Sequence, residues 1–241
     1  FAAKGLRDLR DDPSNGPKSL AGFGSAKGSN EEAYMFQKLI RTGFRSNNVD
    51  HCTRLCHASS VAALLEGVGS GAVSASFMEV ANADVAILIG CNPESNHPVA
   101  ATFMKRAALR GTKLVIMDPR GHSMHEHASH MLQFKYGADV SLINAMMNVI
   151  LEEKLYKQEY LDDMVIGFDQ LKEHLQDYKP EAMAEVCGIP AEKIREVARL
   201  YATAKSSIIF WGMGVSQHVH GTDNVRALIS LSMMTGQIGR P

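Results

Sequence analysis

Apolar runs of strand length alternate with longer amphipathic stretches along this chain of 241 residues. ADVAILIG at 83–90 and SSIIFWGMG at 206–214 are apolar runs that end in glycine, which is typical of strands buried on both faces of a sheet. TKLVIMDPR at 112–120 repeats this strand-and-turn pattern, MLQF at 131–134 is shorter, and SLAGFGS at 19–25 comes earlier. We predict a strand in each of these segments.

Helical patterns fill the segments between the predicted strands. NEEAYMFQKLIRTGF predicts a helix with Asn30 as its N-cap, and HPVAATFMKRAALRG predicts one that Gly111 ends. DVSLINAMMNVILEEKLY and TDNVRALISLSMMTG predict two more, and residues 157–204 predict further helices broken at Pro180 and Pro190. The alternation predicts an α/β fold: an open, doubly wound, mostly parallel sheet with helices on both faces, similar to a Rossmann fold.

Charge and composition exclude some classes of function. The formal net charge is −1, so no basic surface indicates a nucleic-acid partner, and no run of 18 apolar residues predicts a membrane span. Four cysteines in a chain of this length do not form a disulfide framework, which favours a reducing, cytoplasmic location. Because the sequence starts with Phe1, we expect that it begins within a longer chain, and a periplasmic location stays open.

Polar and glycine-rich segments follow the predicted strands: GCNPESNHP, DPRGHS, YGAD and WGMGVSQ. In a doubly wound fold these segments meet at one sheet edge, where they favour a large polar ligand such as a nucleotide. The alternative is that they are ordinary turns. GFGSAKG misses the dinucleotide fingerprint by one residue, and no phosphate-binding P-loop occurs, so a nucleotide would be held by separate loop ends.

The segment VDHCTRLCHASSV places His51, Cys52, Cys56 and His57 within seven positions. A zinc site or a four-cysteine iron–sulfur cluster is disfavoured, because the ligands are sequence neighbours and no second paired motif follows. Cys52 alone is interpreted as a small buried hydrophobic residue. One cysteine remains as a candidate thiolate ligand of a metal whose other ligands come from elsewhere.

A second cluster, GHSMHEHASH, contains four histidines, which are His122, His125, His127 and His130. Their spacing would let a helix pair them, but the zinc-protease pattern H-E-x-x-H is absent. We interpret this segment as a solvated histidine-rich loop rather than a metal site.

Several long segments resemble one family closely. They are SNNVDHCTRLCHASSVAALLEGVGSGAVSASFMEV, DVAILIGCNPESNHPVAATFMKRAALRGTKLVIMDPR, YGADVSLINAM and WGMGVSQHVHGTDNVRALISLSMMTGQIGRP. Together they resemble the catalytic subunit of molybdenum- or tungsten-dependent formate dehydrogenases, in the dimethyl-sulfoxide-reductase superfamily of bis(molybdopterin guanine dinucleotide) enzymes. The resemblance covers essentially the whole chain, and it implies oxidation of formate to CO2.

The resemblance places the metal on Cys56, where some relatives have selenocysteine, and it places the catalytic histidine at His57. A thiolate suits a thiolate-rich metal centre, and an imidazole can accept a proton near neutral pH. After Cys56 and His57, residues 58–60 (ASS) depart from the family pattern. This departure is expected to alter the turn and to leave the Cys-His pair intact. Another superfamily oxidoreductase, such as a nitrate reductase, and a metal-free structural or electron-transfer relative remain alternatives.

By the same resemblance, the loop ends bind the guanine dinucleotide. Asn92, Asn96 and His97 are expected at phosphate or pterin, Asp118 and Arg120 at the guanosine, Gly137 and Asp139 at the guanine, and Gly212, Met213, Gly214 and Gln217 beside the pterin. A carboxylate such as Asp139 can accept from both donor nitrogens of guanine.

The resemblance also implies a domain division. Residues 1–54 are assigned to a preceding, incomplete domain, and residues 55–241 to the dinucleotide-binding domain. The family's 4Fe-4S cluster ligands and the arginine that clamps formate would lie outside this sequence, and electron-transfer subunits or domains are the expected partners. We therefore expect the isolated chain to be inactive.

Overall fold

The structure is a computed structural model that describes residues 1–73 and 75–239. The chain divides into two compact units, Phe1–Ala58 and Ser59–Pro241.

The first unit pairs two short parallel strands with helices. Its elements are α1 (Ala2–Arg10), a 3-10 turn (Gly16–Ser19), β1 (Gly22–Gly24), α2 (Asn30–Lys38), a π turn (Leu39–Gly43), β2 (Val49–His51) and α3 (Thr53–Cys56). Gly22 pairs with Val49 in the β1–β2 register. The prediction that Asn30 caps α2 is wrong: Ser29 is the N-cap, because its hydroxyl accepts from the Glu32 N–H at 3.2 Å while the Glu32 carboxylate accepts from the Ser29 N–H.

The second unit contains a parallel sheet whose strand order is β5–β4–β3–β6. The strands are β3 (Val85–Ile89), β4 (Lys113–Met117), β5 (His130–Leu132) and β6 (Ser207–Trp211). The helices are α4 (Ala58–Val68), α5 (Pro93–Asn96), α6 (Pro98–Leu109), α7 (Asp139–Glu152), α8 (Gln158–Met164), α9 (Phe168–His174), α10 (Pro180–Cys187), α11 (Ala191–Thr203), α12 (Met213–Ser216) and α13 (Gly221–Met234), with 3-10 turns at Phe77–Asn82, Ser123–His127 and Leu175–Asp177.

Helices cover both faces of this sheet. Alternate residues of β3 point to opposite sides, so Ile87 joins a large core with residues of α4, α7, α11 and α13. Leu88 joins a smaller core with Met104 of α6. Both side chains are almost fully buried. The predicted α/β fold, with a parallel sheet between helices, is confirmed.

The order of the strands fixes where a ligand can approach the second unit. From β3 the chain passes through α6 to β4 on one side, whereas β6 pairs with β3 on the other side. The strand order therefore reverses between β3 and β6. In open α/β sheets this reversal opens a crevice at the carboxyl ends of the strands, which is the usual ligand site.

Candidate functional site

The ends of β3, β4 and β6 are joined by backbone hydrogen bonds. Beyond β6, the Gly212 N–H donates to the Ile89 carbonyl at 3.2 Å, and the Gly214 N–H donates to the Gly90 carbonyl at 2.9 Å. On the other side of β3, the Gly90 N–H donates to the Met117 carbonyl at 3.3 Å. The sheet edge predicted to bind a ligand is therefore held together by main-chain atoms.

Glycines are required at this edge because the backbones touch. A Cβ on Gly214 would lie 2.7 Å from the Gly90 Cα, and a Cβ on Gly212 would lie 2.7 Å from the Cys91 Cβ. Gly90 also has φ +58°, in the left-handed region that favours glycine. The first role that the structure gives to Gly212 and Gly214 is thus close packing of two loops.

The loop after β3 contains a buried polar atom that lacks a partner. No described residue donates a hydrogen bond to Asn92 Oδ1. The Asn96 side chain donates to the Asn92 backbone carbonyl at 3.3 Å, and His97 is exposed at the start of α6. Asn92 Oδ1 is a hydrogen-bond acceptor, so it fits an N–H donor of a ligand. A phosphate oxygen, which is also an acceptor, would have to bind the amide nitrogen of Asn92 instead.

The loop after β4 is closed by its own aspartate. The Arg120 N–H donates to Asp118 Oδ1 at 2.8 Å, while the Arg120 side chain is exposed. The Gln133 amide donates to the Pro119 carbonyl at 3.2 Å and so connects this loop to the segment after β5. Asp118 and Arg120 therefore lie at the same carboxyl edge as the loops after β3 and β6.

Asp139 is a buried carboxyl group in the first turn of α7. It is 3% exposed, and burial raises its pKa, although nearby His218 acts in the opposite direction. Gly137, with φ +77°, forms the turn before it. The His218 imidazole Nε2 lies 2.6 Å from the Gly214 carbonyl, to which it can donate. The sequence did not single out His218, which connects Asp139 electrostatically to the loop after β6.

A chain of hydroxyl groups supports the loop after β6. The Trp211 indole N–H donates to Ser60 Oγ at 3.0 Å, and Ser60 Oγ shares a hydrogen bond with Ser216 Oγ at 2.6 Å. The Ser59 hydroxyl donates to the Ser216 carbonyl at 2.7 Å. Met213 and Gln217, on the same loop, are exposed. Nothing in the sequence pattern pointed to these serines, since the paired positions are about 156 residues apart.

Cys56 and His57 belong to the first unit, at the end of α3. The Cys56 side chain is a partly buried free thiol, and its N–H donates to the Cys52 carbonyl at 3.0 Å. His57 caps α3, and burial lowers the pKa of its imidazole. Both ring nitrogens of His51 are engaged, with Thr53 Oγ1 and the Ser25 carbonyl, each at 2.8 Å. Of the four residues in the motif, His51 is thus a structural residue.

The other cysteines differ in environment. The expectation that Cys52 is buried is wrong, because its position at the start of the short helix α3 leaves it exposed. Burial raises the pKa of the Cys91 thiol to about 12 and that of Cys187 to about 11, so both are neutral thiols. Among the described residues, no group of three or more His, Cys, Asp or Glu side chains is arranged to hold a metal ion.

The interpretation of GHSMHEHASH as a solvated loop is wrong for His122. This residue is 8% exposed, and its Nδ1 accepts from the N–H of Met124, which is fully buried in the smaller core. The His122 Nε2 lies 2.9 Å from the Cys91 carbonyl, in the loop after β3. His125 is exposed, whereas His130 pairs with Glu196 at 3.0 Å.

Comparison with known proteins identifies the family. The sequence profile described as Molybdopterin oxidoreductase matches residues 7–241. The chain is 39% identical over 227 residues to formate dehydrogenase H of Escherichia coli, which covers 94% of this chain and 32% of that protein. It is 40% identical over 225 residues to a formate dehydrogenase alpha subunit of Methanococcus maripaludis, covering 93% and 33%.

A solved structure gives the same result. Acetylene hydratase from Pelobacter acetylenicus superposes with a TM-score of 0.82 at 28% identity, over 99% of this chain and 32% of that one. The chain thus spans about a third of the length of the relatives that it matches. No helix in the described parts of the chain is long and apolar enough to cross a membrane. By sequence and fold the chain belongs to the molybdopterin oxidoreductase family, which implies a molybdenum or tungsten pterin cofactor.

Proposed function

We propose that this chain is part of the catalytic core of a formate dehydrogenase, which oxidises formate to CO2 with release of two electrons and one proton. The observation that carries the proposal is the pair Cys56–His57, a partly buried free thiol followed directly by a histidine at the end of α3. The identity of 39% to formate dehydrogenase H supports the choice of substrate. His57 is assigned the role of proton acceptor by its resemblance to the family's catalytic histidine.

The side chains fit a metal that needs a single protein ligand. Since the described residues contain no group of three or more metal-ligand side chains, Cys56 would be joined by sulfur ligands from the pterins. Cys91 and Cys187 are poor alternatives, because a thiol with a raised pKa resists conversion to the thiolate that binds metals. When bound, the molybdenum or tungsten centre supplies the two-electron chemistry.

We propose the second unit as the domain that binds a guanine dinucleotide form of the cofactor. The unpartnered Asn92 Oδ1 and the buried carboxyl of Asp139 are groups that a ligand with N–H donors would satisfy. The other residues that we propose to contact the dinucleotide are Asn96, His97, Asp118, Arg120, Gly137, Gly212, Met213, Gly214 and Gln217. For the whole protein, we extend the proposal by resemblance to the family. It would also contain a second dinucleotide and a 4Fe-4S cluster, and it would bind electron-transfer partner subunits.

The proposed role of Asp139 in binding guanine can be tested by a substitution that should raise stability while it weakens nucleotide binding. Its raised pKa means that the folded protein holds the carboxyl proton more tightly than the unfolded chain. The associated stabilisation is present at acid pH and is lost as pH rises through the folded-state pKa. We therefore expect Asp139→Asn to raise the unfolding temperature of cofactor-free protein at pH 7 but not at pH 3, and to weaken guanine nucleotide binding. A lower unfolding temperature at pH 7 would contradict this.

The decisive experiment is a parallel assay of the purified, cofactor-loaded full-length protein that contains this chain. We expect dye reduction with formate, no reduction of nitrate, no hydration of acetylene, and about one molybdenum or tungsten atom per chain by elemental analysis. Activity with nitrate would instead favour the nitrate reductase alternative. Absence of metal and pterin would favour a structural or electron-transfer relative.

A further inference from the structure

We infer that His122 is a positioning residue that holds the loop after β4 to the loop after β3, and thereby sets the spacing of the two halves of the dinucleotide site. This inference rests on the proposed function, because those loops carry Asn92 and Asp118. The histidine itself is the N-cap of the 3-10 turn Ser123–His127 after β4, where the sequence pattern indicated only a solvated loop.

The hydrogen bonds of His122 fix both its orientation and its tautomer. Its Nδ1 accepts from the Met124 N–H at 3.1 Å, so that nitrogen cannot carry the proton. The proton is therefore on Nε2, which donates to the Cys91 carbonyl at 2.9 Å. Because the imidazole is 8% exposed, both hydrogen bonds are largely shielded from water.

The Cys91 carbonyl that accepts from His122 lies within the proposed dinucleotide site. Cys91 lies between Gly90, whose backbone touches the loop after β6, and Asn92, which carries the unpartnered Oδ1. The pKa of the Glu94 carboxyl, on α5, is lowered first by Lys105 and then by Ser123, the residue after His122, so Ser123 also lies near the loop after β3. His122 is thus bonded to the residue before Asn92, and Ser123 lies near Glu94, two residues after Asn92.

His125 and His130 of the same cluster make other contacts. His125 Nδ1 lies 3.1 Å from the His122 carbonyl, within the same turn, and His130 pairs with α11. His122 can therefore be tested against an exposed neighbour of the same residue type.

Two substitutions separate the hydrogen bonds of His122. In His122→Asn the amide oxygen can replace Nδ1 as acceptor for the Met124 N–H, but the side chain is too short to reach Cys91. In His122→Gln the longer amide can replace Nε2 as donor to the Cys91 carbonyl. We expect His122→Asn to retain about fivefold less pterin per polypeptide after gel filtration than wild type, from the loss of one shielded hydrogen bond. His122→Gln and the control His125→Asn should stay within about twofold of wild type.

The test is made on the cofactor-loaded full protein, with thermal unfolding recorded for each variant. Equal pterin retention in His122→Asn and wild type, or equal loss in the Asn and Gln variants, would overturn the inference. If wild type itself contains no pterin, the proposed function fails first. Histidine-selective ¹⁵N NMR of wild type gives a readout that does not depend on the variants folding: a proton on Nε2 alone supports the assignment, and a proton on Nδ1 overturns it.

Discussion

Replacement of Cys56 by alanine is expected to abolish formate oxidation and to leave the protein folded. Even a residue that only supports a metal ligand is commonly worth about 10- to 100-fold in metal affinity or activity, so loss of the ligand itself should cost more than about 100-fold. The thiol is only partly buried, so its removal leaves no large cavity. The measurements are formate-dependent dye reduction and metal content per chain.

Cys52 provides the matched control for this experiment, since it lies one helical turn earlier and is exposed. Cys52→Ala should keep wild-type activity and metal content. Full activity in Cys56→Ala would remove the main assignment of the proposed function, even if the fold and the dinucleotide site were correct.

Replacement of Gly90 by alanine is expected to lower the free energy of unfolding by about 3 kcal/mol, a large part of the 5 to 15 kcal/mol of an ordinary domain. One part of the cost is strain, because φ is +58° at this position. The larger part is crowding, because the new Cβ would lie 2.7 Å from the Val215 nitrogen and 2.8 Å from the Gly214 carbonyl carbon. Backbone atoms cannot move aside as a flexible side chain can. Chemical denaturation of the cofactor-free protein measures the change.

Gly69 separates the two contributions. It has φ +75°, but a Cβ there would meet no atom within 4 Å. Gly69→Ala should therefore cost only the strain, about 1 kcal/mol. Equal losses for the two variants would mean that crowding at the strand ends contributes nothing, contrary to the geometry of this edge.

The sequence pattern was sufficient for the main architecture of the second unit. Continuous apolar runs identified β3 and β4, which are buried apart from the first residue of β4. The run at 206–214 identified β6 as well, but the prediction that this strand is buried on both faces is wrong, because β6 lies at the end of the sheet and is only partly buried. The β1–β2 pair was only half predicted: β2 has three residues, Val49–His51, too few to produce a recognisable alternation. The N-cap of α2 could have been read correctly, since Ser29 and Glu32 have the spacing of a capping box.

The parts of the site that escaped prediction depend on contacts between distant residues. His122 is buried and bonded to a carbonyl 31 positions earlier, so its own segment gives no sign of either. The hydroxyl pair Ser60–Ser216 is a similar case. That the glycines after the strands bind a ligand stays a prediction, whereas their close packing against one another was not predicted from the sequence. The roles given to Cys56 and His57 came from resemblance and remain predictions.

The indole of Trp211 has a consequence for how this protein can be observed. Trp211 is the only tryptophan in the sequence, it ends β6, and its N–H is bonded to Ser60 in the chain of hydroxyl groups. Intrinsic fluorescence of the chain therefore has one tryptophan source, located where the polypeptide turns away from the sheet. Opening of that turn would replace Ser60 by water around the indole and shift its emission to longer wavelength. A polypeptide of this 241-residue sequence thus carries its own optical reporter of events at the strand ends, with no dye or engineered label required.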